Sequence, residues 1–404
     1  MQKVQTGLDI LISSPEERNL IKGNIAYLGN QASVSSSLVN GLDVMVSLFG
    51  NRIVKAFGPQ HGFATIAQDN MIETAHDVHP IYGIPVYSLY SETRAPSEEM
   101  LQGIDSLIVD LQDVGTRVYT YIWTLFNIMK KLKNTEIQII VLDRPNPVNG
   151  NTVQGNLPET EFYSFVCMSE IPMRHGLTIG EMAQWFKKNH FPDVNLHLVA
   201  MKGWERWMHW KDTGLHWLNP SPNLPTSGGC LVYPGSVLLE GTTLSEGRGT
   251  TRSLEMVGHP DIKPDKWKPE LDQYLNSNGV SGHVLRPVYF EPVFQKFMGQ
   301  PCGGYQIHIT NPVKINPWKL GQLMISFLYQ RLDQDNFWNP DPYEYEFSGL
   351  AIDWINGTTS IRNLIERGCK GGCKGGCKGD DLDEIENNGM AKFNSAKQEI
   401  LLYF

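Results

Sequence analysis

The first 145 residues alternate between short apolar runs and amphipathic stretches. GNIAYLGN (23–30), RIVKAFGPQHG (52–62), IPVYSLYSE (84–92), IDSLIV (104–109) and IQIIVLDRPNP (137–147) each hold a compact apolar run closed by polar, glycine or proline residues, the mark of buried strands. Between them, SSLVNGLDVMVSLF and YIWTLFNIMKKL space their apolar residues as helices do, and APSEEMLQGI opens a helix with Pro96 and acids in its first turn. Strand, helix, strand in this order predicts a parallel sheet with right-handed crossovers. Thr178 with Glu181 three residues on is a capping box that starts another helix, and VNLHLVAMKGW supplies another strand. From about residue 261 the pattern turns to mixed helix and strand. The expectation is an α/β domain over 1–260 and a smaller α+β domain over 261–404.

In a parallel sheet the carboxyl ends of all strands open on one edge, where ligands bind. Here those ends carry Asn30, then His61, then Tyr90 and Glu92, then Asp110 and Gln112, then Asp143, Arg144 and Asn146. The stretch DLQDVGTRVYTYI (110–122) adds Asp113, Arg117, Tyr119 and Tyr121, more than a helix cap requires. Five segments delivering polar side chains to one rim predict a pocket there.

Composition narrows the chemistry. The formal net charge of −9 on 404 residues disfavours a general nucleic-acid binder, yet locally converging arginines still suit an anion. No run approaches the length of a membrane span, and MQKVQTGLDILISS lacks the apolar core of a signal peptide, so a cytoplasmic protein is expected unless a leader was removed. Of six cysteines, Cys167, Cys230 and Cys302 are scattered and expected to pack as small apolar groups. The others form CKGGCKGGCKGDD, whose spacing could hold a metal but whose glycines favour a flexible insertion. No metal and no cofactor is expected. Phosphate-loop, dinucleotide, nucleophile-elbow and zinc-protease motifs are absent, and His61 has no second histidine at ligand spacing.

Carboxylates, arginines, amides and aromatics remain. Glu92 stands past a strand tip among aromatic neighbours, where desolvation would raise its pKa. Glu246 lies between arginines, Arg248 and Arg252, which would keep it ionised. Two carboxyls in contrasting surroundings are what glycoside hydrolysis requires. One or both acids could instead form surface ion pairs, and spacing alone favours that reading for Glu246.

PVYSLYSETRAP, DLQDVGTRVYTYI, LDRPNPVNG, IPMRHGLTIGE, NPSPNLPT and EGTTLSEGRGTTR follow one another as in the exo-β-N-acetylmuramidases of peptidoglycan recycling, the NamZ-type family, which the chain resembles from TGLDIL to LLYF. The resemblance implies a Rossmann-like domain with an auxiliary carboxy-terminal domain and a cleft between them. It implies release of N-acetylmuramic acid from the non-reducing end of peptidoglycan fragments. Glu92 takes the place of the family's cleft glutamate, and Glu246 to Gly249 that of its Glu-Gly-Arg-Gly block. Arginines (Arg117, Arg144, Arg174, Arg248, Arg252) are then expected to read the lactyl carboxylate. His61, Tyr90, Asp110, Gln112, Tyr121, Asp143, Asn146 and His175 complete the expected substrate site, with Tyr90, Tyr119 and Tyr121 stacking on sugar faces. The chain departs from the family where many members read Glu-His-Gly-Phe-Arg-Gly and it has Gln60, His61, Gly62, Phe63, Ala64 and Thr65. A non-catalytic wall-fragment sensor and a nucleotide-sugar enzyme are the alternatives on the same fold.

Overall fold

The computed structural model describes residues 3–69, 71–370 and 376–404, without the side chains of 368–370. Seven strands form the main sheet: β1 (Ile25–Leu28), β2 (Ile53–Gly58), β3 (Asp77–Val78), β4 (Pro85–Ser88), β5 (Ser106–Val109), β6 (Gln138–Leu142) and β7 (Leu196–Val199). Their order is β3-β4-β2-β1-β5-β6-β7, parallel throughout except for the short β3, which pairs antiparallel with β4. The expected α/β, Rossmann-like sheet is therefore present.

Its central strands read as unbroken apolar runs because both faces are covered. Leu107, Val109, Ile139 and Val141 face a core shared with the helices Tyr121–Leu132 and Ile179–Asn189. Ile108, Ile140 and Leu142, offset by one residue, face the opposite core with the helices Gly7–Ser13 and Gly41–Phe49. Thr178 caps its helix as its spacing predicts, its hydroxyl accepting from the Glu181 backbone and the Glu181 carboxylate accepting from Thr178 N. At 98–101 the helix begins two residues past Pro96, the expected start: Ser97 is its N-cap and Pro96 lies outside it.

The smaller α+β part is an antiparallel sheet of β8 (Met256–His259), β9 (His283–Phe290) and β10 (Cys302–Ile309), ordered β8-β10-β9, with the helices Pro264–Ser277 and Pro317–Tyr329. Helix Pro317–Tyr329 crosses helix Ser227–Ser236 so closely that a Cβ on Gly235 would stand 1.9 Å from the Pro317 carbonyl oxygen. One hydrophobic core runs through both sheets. Cys167, Cys230, Cys302 and Cys377 are buried free thiols, packed as small apolar groups. The Cys-Lys-Gly-Gly repeat lies largely outside the described residues, with the side chains of Cys369 and Cys373.

Candidate active site

The polar strand ends do gather on one edge of the sheet, but most of them are consumed by one another. Asp110 accepts from Tyr27 Oη at 2.9 Å and from Arg144 Nε at 2.5 Å, both charges buried. Arg144 also donates to the Val34 carbonyl. Gln112 donates to the carbonyls of Asp113 and Pro145, and Asn146 to that of Leu177. Asp113 accepts from Gly115 N and lies 3.3 Å from His175 Nε2. Asp143 accepts from Thr178 Oγ1, Gly180 N and Tyr403 Oη, tying a strand, a helix start and the chain's last residues together; burial pushes its pKa up to about 7.

Arg117 is the fullest departure from expectation. Its guanidinium is fully buried without a carboxylate and donates to the carbonyls of Asn156, Ile171, Ile355 and Asn356. It fastens the loop after β5 to the helix Ala351–Asn356, a fastening role rather than an anion site. Arg174 likewise serves Gln154 and the Val148 carbonyl. Tyr121 donates to the Pro220 carbonyl and accepts from Asn30, fully buried, so it has no face for a sugar. Both expectations, arginines converging on a carboxylate and tyrosines stacking on sugar, are thus corrected at these positions, because buried polar groups must find partners inside the protein.

The other side of the rim is different. Beyond β2, Gln60 and His61 face the smaller part of the molecule. There a pocket of about 30 Å³ is lined by Gln60, His61, Tyr119, Thr120, Tyr233, Glu240, Arg248, Tyr343 and Glu344. Glu344 accepts from Tyr90 Oη at 2.7 Å and from Gln60 Nε2 at 3.2 Å, while Gln60 Oε1 accepts from Thr120 Oγ1 at 2.5 Å. Burial outweighs these donors, Glu240 adds repulsion, and the Glu344 carboxyl is pushed up to about 7. Glu240 accepts from Arg248 and from Tyr343 Oη at 2.9 Å. Arg248 Nε also stands 2.9 Å from Glu246, whose other oxygen lies 3.0 Å from Lys296 Nζ. Burial opposes charge on Glu246, but the Lys296 ammonium and the Arg248 guanidinium overcome it and hold its carboxyl below the ordinary range. The ion pair expected of Glu246 exists, and it is buried rather than on the surface.

The Glu-Gly-Arg-Gly turn is shaped for this. Gly249 has φ +76° and a Cβ there would meet the Phe294 backbone at 2.6 Å, so the turn that aims Arg248 inward needs glycine. His61 is also left-handed, at φ 72°. Its Nδ1 sits 2.7 Å from the Ala67 carbonyl, and burial lowers its pKa to about 4. The neutral ring therefore donates from Nδ1 and keeps a lone pair on Nε2.

Glu344 comes from the segment 343–346, which folds over the rim. Glu344 and Tyr345 have φ of 46° and 72°, an uncommon pair for non-glycine residues. Arg94 lies between the rings of Tyr90 and Tyr345, 4.1 and 4.0 Å from their centroids, so the face of Tyr90 is taken by a cation. Tyr345 Oη donates to Glu73 at 3.1 Å. Glu92 stands exposed past β4 and lines neither this pocket nor its neighbours; the desolvated setting expected of it is absent. Arg252 is half-exposed, 3.3 Å from Glu255. Of the five arginines singled out by the sequence, Arg248 alone lines the pocket.

Glu240 and Glu344 escape a reading of strand ends because neither is near one in sequence. The clue to Glu344 is local: an acid between tyrosines in PDPYEYEF, a proline-flanked loop with no helical or strand period. Among the described residues no cluster of histidine, cysteine and acid side chains could hold a metal, and no helix is long and apolar enough to cross a membrane.

Residues 25–228 match the family described as exo-β-N-acetylmuramidase NamZ, N-terminal, and residues 231–403 match its C-terminal counterpart. The chain is 40% identical over 367 residues to peptidoglycan β-N-acetylmuramidase NamZ of Bacillus subtilis (strain 168), covering 91% of this chain and 85% of that protein. Two crystal structures of DUF1343-family proteins from Bacteroides fragilis NCTC 9343 resemble it. One has a TM-score of 0.85 and 28% identity, the other 0.73 and 26%, each covering 100% of this chain and 99% of the other.

Proposed function

Because the chain belongs to the exo-β-N-acetylmuramidase NamZ family, we propose that it releases N-acetylmuramic acid from the non-reducing end of peptidoglycan fragments, with its chemistry in the Glu344–Glu240 pocket. One observation carries the placement: a carboxyl raised to about 7 near Glu240, which is ion-paired with Arg248, and near Glu246, whose carboxyl Lys296 and Arg248 hold below the ordinary range. That contrast is what a glycosidase needs. Glu344 holds its proton near neutral pH and gives it to the glycosidic oxygen as the bond from that oxygen to C1 breaks. Glu240, paired with Arg248, stabilises the positive charge growing at C1. Water then bonds to C1 and loses its proton to a carboxylate.

Gln60 matters here because many family members carry an acid at this position. An amide donates to Glu344 without competing for its proton. The pocket has room for about one water, so a sugar reaches Glu344 when the segment 343–346 lifts from the rim. Glu92, nominated by the family resemblance, is the acid to test beside Glu344. Action on fragments in the cytoplasm belongs to this reading, and cell fractionation decides it.

The direct test offers a chromogenic β-N-acetylmuramide, with the β-N-acetylglucosaminide as control. Cleavage of the first in preference to the second is expected. Binding of muramyl saccharide without turnover would leave a sensor in place of the enzyme.

A further inference from the structure

The segment 343–347, which carries Glu344, is fixed firmly at its flanks and loosely between them. At one flank Asn339 N donates to the Gly241 carbonyl at 3.1 Å, and at the other the Ser348 carbonyl accepts from Trp354 Nε1 at 2.6 Å. Across 343–347 the backbone bonds to itself, Tyr343 with Glu346. Its one outward bond among the described residues runs from Glu344 N to Met71 Sδ, at 3.2 Å. Side chains do the holding. Tyr343 reaches Glu240, Glu344 reaches Tyr90 and Gln60, and Tyr345 holds the outer end. The Tyr345 ring lies on Arg94, whose other face Tyr90 covers, and its Oη donates to Glu73, which in turn stands 3.4 Å from Arg94 Nη2. Arg94 is itself anchored: its carbonyl accepts from Asn127 on the helix Tyr121–Leu132, and its Nη1 donates to the Ser91 carbonyl. Arg117 fastens its loop through four buried carbonyls. The Tyr345 clasp uses a ring face and one hydrogen bond to a half-exposed acid, contacts that part without stranding a buried polar group. Little apolar packing opposes this, since Phe347 is 81% and Tyr345 41% exposed. Gly349, at φ +73° with only Trp354 Nε1 within 4 Å of a Cβ, gives the segment a turning point.

We propose that Tyr345, clasped by Arg94 and Glu73, is the latch of an autoinhibitory lid, the segment 343–347, which is shut over the Glu344 pocket at rest and turns out between Asn339 and Gly349. The shut lid inhibits because the covered space of about 30 Å³ is far below the roughly 300–1,000 Å³ of small-molecule sites. The left-handed backbone of Glu344 and Tyr345 adds strain that opening relieves. Latch and acid are neighbours in the chain, so they leave the rim together. Opening frees the Tyr345 ring and parts Glu344 from Tyr90 and Gln60 in one movement; closing over a ligand returns the acid to its place. Apparent affinity is then reduced by the fraction of molecules that are open. The lid stands on these contacts, and only its effect on turnover rests on the glycosidase reading.

Hydrogen exchange of the intact protein reads the lid without any ligand. Tyr345→Ala should speed exchange of the amides in 343–347 by about ten-fold, the scale of one cation–π contact and one hydrogen bond lost. Tyr345→Phe keeps the ring on Arg94, loses the bond to Glu73 and should fall between. Amides of β5 and β6 should exchange as before in both, which marks the change as local. Glu73→Gln weakens the clasp from the facing loop and carries the same test if Tyr345→Ala fails to fold. The second readout is the association rate of N-acetylmuramic acid by stopped-flow tryptophan fluorescence, which should rise in step with exchange. Unchanged exchange in Tyr345→Ala and Glu73→Gln would overturn the latch, and so would faster exchange with an unaltered association rate. Faster exchange in variants that neither bind nor cleave a muramide would sink the glycosidase reading and leave the latch standing.

Discussion

The two halves of the sheet's rim are built from the same kinds of residues and do opposite things. Over β1, β5 and β6 the acids, amides and arginines close on one another: Asp110 on Arg144 and Tyr27, Asp143 on Thr178 and Tyr403, Arg117 on four carbonyls. Over β2 and β4 the polar side chains meet a loop from the far end of the chain, and cavities remain between. A polar strand end thus marks the functional edge of a parallel sheet without marking function. What separates the halves is whether partners within the sheet's own loops satisfy each group.

Substitutions should divide along that line. The largest effect is expected on the closed half. Asp110→Asn leaves the Arg144 charge buried without its counter-ion, costing about 3–5 kcal/mol of stability by chemical denaturation. Surviving folded protein should keep its turnover. If instead turnover collapses in a stable variant, the closed half takes part in the chemistry.

Next comes the open half. Glu344→Gln should lower kcat by about 10²-fold or more, the usual cost of losing a general acid, with the fold intact by circular dichroism. Glu92→Gln is the paired measurement. A greater loss there than in Glu344→Gln would move the acid to the exposed tip.

The pH profile of the wild type refines this. Glu344 must keep its proton, so kcat should fall as pH rises through about 7, and the same limb should vanish in Glu344→Gln. The linked stability has the same direction. A carboxyl whose folded pKa lies above its unfolded one contributes most at pH below the unfolded value. That contribution fades as pH rises through the folded one. Asp143, also raised to about 7, adds to the decline, which equilibrium unfolding between pH 5 and 8 would detect. Gln60→Glu places a second acid 3.2 Å from Glu344 and should carry the limb to higher pH.

The smallest change is expected at Arg252. It is half-exposed, and its pair with Glu255 contributes little to stability, roughly 1 kcal/mol or less. Arg252→Ala should leave denaturation nearly unchanged. A fall in the preference for muramides over glucosaminides in that variant would assign it the lactyl carboxylate after all, a role the four buried arginines are too fully engaged to take without rearrangement.

Much of the architecture was legible along the chain. The apolar runs of β1, β5 and β6 are continuous because the sheet is covered on both faces, and such runs need no distant information to be read. The Thr178–Glu181 cap and the glycines around Arg248 are likewise local: each depends on a hydrogen bond or a backbone angle within a few residues. The edge on which the polar strand ends gather followed from strand direction alone. The sequence also displayed Arg117 and Asp110, but their residue types could not say whether they face a ligand or each other. That was decided by tertiary structure, since Arg117 finds its carbonyls as far away as residue 356 and Tyr90 finds Glu344 across 254 positions. Periodicity reports which residues avoid water; it does not report which buried polar group answers which. Desolvation, the force that raises Glu344 and leaves Glu92 exposed, exists only once distant segments have closed over one and not the other.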